Sequence, residues 1–222
     1  MASINIDGMA RSTGQSDTRE KLILAAEQLF ATQGVDGAQT RDIVRLAGQA
    51  NPSAVQYHFG SRAGLLEEIM KGRQDRVEHA LAPRLPELMA MGLPDLLRTL
   101  VGAEATELGT ERGRCALRIS AQVSHQSGIR TRTPHPTLAG GGYWRLFDHI
   151  GERLATQPGA PGLPEPVRLE RLDLALTLIG AALADRARQY TDGEQPLTDE
   201  PFFLADLAGM ATALLQAPAP QL

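Results

Sequence analysis

"TREKLILAAEQLFATQGVDGAQTRDIVRLAGQANPSAVQYHFGSRAGLLEEI", residues 18 to 69, alternates runs of helical periodicity with glycine stops. Leu22, Ala26, Leu29 and Phe30 follow the i, i+4, i+7, i+8 rule and predict a helix over 18–33, closed at Gly34. Thr40, Ile43, Leu46 and Ala47, with Asp42 in the first turn to complement the helix dipole, predict a second helix over 41–47 that Gly48 stops. Asn51 is a good cap and Pro52 a good first helical residue, so a third short helix is expected to reach Phe59. Gly60 ends it and Ser61 caps a fourth, whose stripe of Leu65, Leu66, Ile69 and Met70 runs on to Leu81 ahead of Pro83. Upstream, residues 1–17 are polar and glycine-containing without periodicity, which predicts a flexible tail.

Two short helices joined at Gly48 and held by a longer one make a helix-turn-helix, whose second short helix enters the major groove of DNA. Such a helix needs small or hydrogen-bonding residues on its outer face, and Pro52, Ser53, Ala54 and Gln56 supply them while Val55 and Phe59 point inward. Gln56 suits two-pronged contact with adenine, and the Ala54 methyl suits a thymine methyl. The chain carries a net charge of -4, so it is not a basic nucleic-acid binder as a whole. Between residues 37 and 64, however, Arg41, Arg45 and Arg62 face only Asp42. Phosphate contact then rests on these few Arg, on the Thr40 and Tyr57 hydroxyls and on backbone N–H groups. The same spacing also fits an ordinary helical corner with Tyr57 and His58 inside.

The shared pattern of an amphipathic helix ending in "LF", then "GVDGAQTRDI", "LAG" and "YHFGSRAGLL", resembles the DNA-binding domain of the TetR family of bacterial transcriptional regulators. The resemblance covers about 50 residues. It implies a homodimer that binds double-stranded operator DNA, usually as a repressor, and releases it when a small effector enters the C-terminal domain; the cytoplasmic location is expected separately, from the single cysteine and the lack of a secretory signal or spanning run. It also implies that Thr40, Tyr57, His58 and Arg62 meet phosphates, with Ser53, Ala54 and Gln56 nearest the bases; Arg41 joins the DNA-binding set from the local charge. One departure stands out: eight residues, "QANPSAVQ", separate "AG" from "YHF" where the family pattern has seven.

Beyond Pro83 every strong signal remains helical, with no period-2 alternation, so the chain is expected to be all-α: a helix-turn-helix domain over 18–64 and a helical effector-binding and dimerisation domain over 65–222. Leu172, Leu176, Ile179 and Leu183 form one apolar stripe and Leu174, Leu178 and Ala181 a second beside it; such a helix is buried on two sides. With Leu207 and Leu214 of the last helix, the stripe of Leu172 to Leu183 is the expected dimer seam, a central helix in a monomer core being the other reading. Arg118, Gln122 and His125 share a helix face with Cys115, and Trp144 and Phe147 lie in "GGGYWRLFDHIGERL". These five, Arg118, Gln122, His125, Trp144 and Phe147, are the candidate ligand wall, and the triple glycine reads as a flexible lead into a helix.

Nothing suggests an enzyme. No nucleophile elbow, phosphate loop, "HExxH" or paired cysteine occurs, and the five His are scattered, so no catalytic residue, metal or cofactor is expected. A single cysteine, Cys115, argues for a reducing compartment, and the longest apolar run, "LALTLIGAALA" at 174–184, is too short to span a bilayer. The competing class is an all-α protein-interaction module that does not touch DNA, or an activator without ligand-induced release.

Overall fold

The computed structural model describes residues 6–156 and 163–218, with side chains from Ser16 onward. Among them there is no strand. The chain divides into two compact units, Met1–Met70 and Lys71–Leu222, six residues beyond the boundary expected at 64/65.

In the first unit α1 (Ile6–Gln33) is followed by α2 (Thr40–Leu46), α3 (Ala54–Phe59) and the start of α4 (Arg62–Leu81). Part of the expected flexible stretch, 1–17, lies outside the described residues; from Ile6 the backbone is already helical. No proline interrupts residues 6–33, so a helix nucleated by the apolar stripe propagates upstream one hydrogen bond at a time. The predicted stripe of Leu22, Ala26, Leu29 and Phe30 is buried, and it packs with Ile43, Val44, Val55, Leu65 and Ile69 as the core of this unit.

The third helix starts at Ala54 instead of Pro52. Asn51 does not cap it. Its side-chain oxygen accepts the Ser53 N–H at 2.9 Å, while the Ala54 N–H donates to the Asn51 carbonyl at 3.1 Å. This Asx-type turn absorbs the additional residue before "YHF" and leaves the helix proper only six residues long.

The second unit holds the rest of α4, then α5 (Leu93–Ala105), α6 (Glu111–Val123), α7 (Gly142–Ala155), α8 (Glu165–Asp192) and α9 (Glu200–Gln216), with short 3-10 turns between several of them. Prolines 94, 166 and 201 sit in the first turns of α5, α8 and α9, where a missing N–H costs nothing. Helix α8 packs on α6 and α9, and α9 packs on α5. Leu96, Leu97, Leu100, Leu117, Leu146, Ile150, Ile179, Leu183 and Leu207 lie at the centre of one core cluster.

That core corrects the expected dimer seam. Leu172, Ile179, Leu183 and Leu207 are buried inside their own subunit, with Ile179 at 2% and Leu183 at 0% exposure, and Leu176 and Leu214 are half-buried against them. The stripe of Leu172, Leu176, Ile179 and Leu183 marked the most apolar face, and the most apolar face closes the subunit's own core. Of the second stripe, Leu178 packs against the core while Leu174, 52% exposed, and Ala181 face outward, and on α9 Phe202 and Met210 are exposed as well.

Candidate functional site

The first unit presents α2, the turn after it and α3 on one side. Gly48, at φ +66°, makes the left-handed step that reverses the chain, and its N–H and that of Gln49 close on the Arg45 and Val44 carbonyls. Arg41, Arg45, Gly48, Gln49, Ala50 and Pro52 surround a shallow groove there. Thr40 opens α2 and is half-buried; Arg41 is exposed. The Arg45 side chain is 82% exposed and lies 2.9 Å from Asp42. Arg45 is one of the few Arg that local charge singled out; Gln49 was not among the expected contacts, since it lies in the turn and not on the helix that reads as the recognition helix.

Ser53, at the N-cap of α3, and Gln56 and Tyr57 within it are exposed and lie at i, i+3, i+4, with Tyr57 at 68%. His58 is half-buried and meets the Tyr57 ring edge-on at 4.9 Å, which orients the phenol. Two expected contacts are corrected. Ala54 is buried beside Val55, so its methyl faces the core and is not available to a thymine. Arg62 turns inward: its Nε donates to the Ala38 carbonyl at 3.1 Å, its guanidinium lies 5.2 Å from the Phe30 ring centre, and its Nη2 is buried without a hydrogen-bond partner. Arg62 therefore pins α4 to the loop between α1 and α2. A planar, weakly hydrated guanidinium suits that place.

In the second unit a cavity of about 420 Å³ opens between α7, α8 and the 3-10 turn at Ile129–Thr131. Trp144 and Phe147 line it, with Asp148, Gly151, Leu169 and Leu172. Arg118, Gln122 and His125 do not. Gln122 and His125 are exposed, and Gln122 Nε2 donates back to the Arg118 carbonyl at 3.1 Å. α6 spends its buried face, Ala116, Leu117 and Ile119, on the core, which leaves the polar stripe turned to water. Arg132 borders the cavity at φ +53°, held there with its Nη1 2.6 Å from Glu165, and that carboxylate keeps its guanidinium pKa above the usual range.

A buried ionic cluster lies beside the cavity. Arg73 of α4 donates to Glu104 of α5, whose other oxygen accepts the Tyr143 hydroxyl at 2.5 Å; Arg76 makes a two-pronged contact with Glu107 at 2.8 and 2.7 Å. Burial works against the Arg73 charge, but Glu104, Tyr143 and Glu107 outweigh it and raise its pKa. Burial, then the Glu104 charge, pushes the Tyr143 hydroxyl well above its ordinary value.

The triple glycine is not a flexible lead. The N–H groups of Gly142 and Tyr143 donate to the Glu78 carboxylate at 2.8 and 3.0 Å, so a side chain of α4 caps α7. A Cβ on Gly141 would stand 2.2 Å from a Glu78 oxygen, and one on Gly142 2.7 Å from Leu85. The bare glycine backbone lets Glu78 and Leu85 approach this closely. Of the three, only Gly140 has positive φ.

Among the described residues, no group of His, Cys, Asp or Glu is placed to hold a metal ion, and no helix is long and apolar enough to cross a membrane. Residues 22–69, which include α2, the turn and α3, match the family model for bacterial regulatory proteins of the tetR family. What the match shows is a tetR-type DNA-binding domain over residues 22–69 of this chain. Two curated relatives from Pseudomonas putida carry the same kind of domain: the HTH-type transcriptional regulator SrpR and the uncharacterized HTH-type transcriptional regulator TtgW. Each is 35% identical over 79 residues, which is 35% of this chain and 37% and 58% of those two proteins. The match thus spans less than two thirds of either relative. A crystal structure of a TetR-family regulator from Streptomyces coelicolor A3 aligns at 18% identity with a TM-score of 0.47, covering 91% of this chain and 96% of that one.

Proposed function

We propose that the chain is a dimeric, ligand-responsive regulator of transcription that binds double-stranded operator DNA and acts as a repressor in the cytoplasm. The observation that carries this reading is the exposed face of Ser53, Gln56 and Tyr57 on a short helix, flanked by Arg41 and Arg45 on α2. Gln56 has the donor and acceptor that adenine's major-groove edge requires, and Arg41, Arg45 and the Tyr57 hydroxyl supply phosphate contacts. The match of residues 22–69 to the tetR family model supports the same assignment.

The partner subunit docks on the outward apolar face of α8 and α9, around Leu174, Phe202 and Met210, which a second copy of the chain covers in a two-fold interface. A small molecule occupies the 420 Å³ cavity beside Trp144 and Phe147, within the usual size of a ligand pocket. It releases DNA to the extent that it favours a half-site spacing the operator does not match.

Selection of bound fragments from genomic DNA, followed by titration at several salt concentrations, tests the reading. A specific complex whose log affinity falls linearly with log salt is the expected result. No shift of any duplex at low salt makes the chain a protein-interaction module instead.

A further inference from the structure

The turn between α2 and α3 holds two side-chain amides, each with one end already committed. Asn51 Oδ1 accepts the Ser53 N–H at 2.9 Å, and Gln49 Nε2 donates to the Ala47 carbonyl at 3.1 Å. A backbone N–H can only donate and a backbone carbonyl can only accept, so both amide orientations follow from their partners. Asn51 is left with its NH2 end uncommitted, and Gln49 with its oxygen. Among the described residues neither of these ends has a partner, and the amide of Gln56 on α3 has none at either end.

The two turn amides stand on the surface proposed for DNA. Residues 50–53 are all exposed, and Gln49 lines the shallow groove with Arg41 and Arg45, whose guanidinium groups suit phosphates. Helix α3 offers little beside them: Ala54 and Val55 are buried, His58 and Phe59 half-buried, and only Gln56 and Tyr57 exposed. We propose that the turn selects G·C pairs, Asn51 giving its N–H groups to guanine and Gln49 its oxygen to the cytosine amino group. The inference rests on the operator-binding reading and names the base pairs which that surface selects. Guanine presents two adjacent acceptors in the major groove, N7 and O6, whereas adenine sets an amino group beside its N7, which an NH2 end meets donor to donor. Thymine offers one acceptor beside a methyl group. Cytosine shows its N4 amino group without an acceptor next to it, which suits an oxygen whose neighbouring nitrogen is held by Ala47. The Gln56 amide, with both ends free, keeps the donor and acceptor together that adenine requires. A wrong base strands a desolvated donor or acceptor on each side, so discrimination comes from the mismatch as much as from the match.

Asn51→Asp in the full chain is the test. The carboxylate still accepts the Ser53 N–H, so the turn is kept, while the free end changes from donor to acceptor. The added negative charge weakens binding to every duplex alike, so the readout is the ratio of affinities among the four base pairs at each position of the operator selected by the wild type, at one salt concentration. At one G·C position the wild type should favour guanine by about tenfold, and Asn51→Asp should turn that preference to cytosine on the same strand, with helical signal and the ratios elsewhere unchanged. Gln49→Met, which keeps the length of the side chain without its oxygen, should flatten the preference at a second G·C position, and it carries the test if Asn51→Asp does not fold. A merely structural Asn51 would lower all affinities and leave every ratio in place. Unchanged ratios in either folded variant overturn the proposal. No duplex bound by the wild type sinks the regulator reading and this assignment together; a specific complex whose ratios the variants leave intact sinks this assignment alone.

Discussion

Tyr57 and Arg62 lie five positions apart in "YHFGSR" and do opposite work. Tyr57 projects from α3 with its ring set against His58, so Tyr57→Phe keeps the packing and removes only the hydroxyl. Operator affinity measured at matched salt should fall while thermal stability is unchanged; equal affinity would take Tyr57 off the contact list. Gln56→Ala should relax base preference at one position by about 1–3 kcal/mol, read from affinities for single-base operator variants. Arg62 behaves as a structural residue. Its Nε bond to the Ala38 carbonyl and its place over Phe30 need a planar fork, so Arg62→Lys should lower the unfolding midpoint, by about 1–3 kcal/mol for a lost buried hydrogen bond. The salt dependence of DNA binding should not change, because no phosphate contact is removed. A slope shallower by about one unit would return Arg62 to the phosphate set. Sequence alone could not separate these two residues. Both carry hydrogen-bonding tips beside a glycine turn, and only the position of the Ala38 carbonyl, 24 residues away, decides which tip turns in.

At the scale of elements, local chemistry announced the helices and distant chemistry set their ends. The periodic runs and glycine stops of 18–69 show through because they are properties of adjacent residues. The start of α7 was hidden, since its cap is Glu78, 64 residues upstream, and "GGG" reads as slack when its partner is out of view. Gly142→Ala should test that fit: a methyl 2.7 Å from Leu85 and 2.9 Å from a Glu78 oxygen forces one of them aside, at a cost of about 1–3 kcal/mol in denaturant unfolding. Unchanged stability would mean that the first turn of α7 is not tightly held. The cluster at the same turn also gives a pH signature. In the folded protein the Tyr143 hydroxyl keeps its proton well above the ordinary pKa near 10, whereas in the unfolded chain it ionises there. Above that pH the folded state binds the extra proton, so stability is whole below about pH 10 and declines as pH rises further. In urea titrations at stepped alkaline pH, Tyr143→Phe should flatten that decline. An identical decline in wild type and variant would assign it elsewhere.

For the whole molecule, the two apolar faces of α8 lead to opposite outcomes for the same substitution. Ile179 faces the subunit's own core, so Ile179→Arg buries a cation with no partner and should unfold the second unit, by about 3–5 kcal/mol or more. Leu174 on α8 and Met210 on α9 face outward, so Leu174→Arg or Met210→Arg leaves each subunit folded, and the charge is buried only where a second copy covers that face. Both stripes were legible in the sequence; which of them looked inward was not, because helical periodicity gives the angle between two faces and not what lies opposite each. Sedimentation and helicity together therefore carry the decision. Leu174→Arg and Met210→Arg should sediment as monomers with wild-type helical signal, and Ile179→Arg should lose helical signal. The monomeric variants should also bind a full operator far more weakly than the wild type. A two-fold DNA-binding protein spans half-sites about 34 Å apart, and a single subunit keeps only one of the two sets of contacts. An undisturbed dimer in both outward variants would place the interface on another face of the second unit.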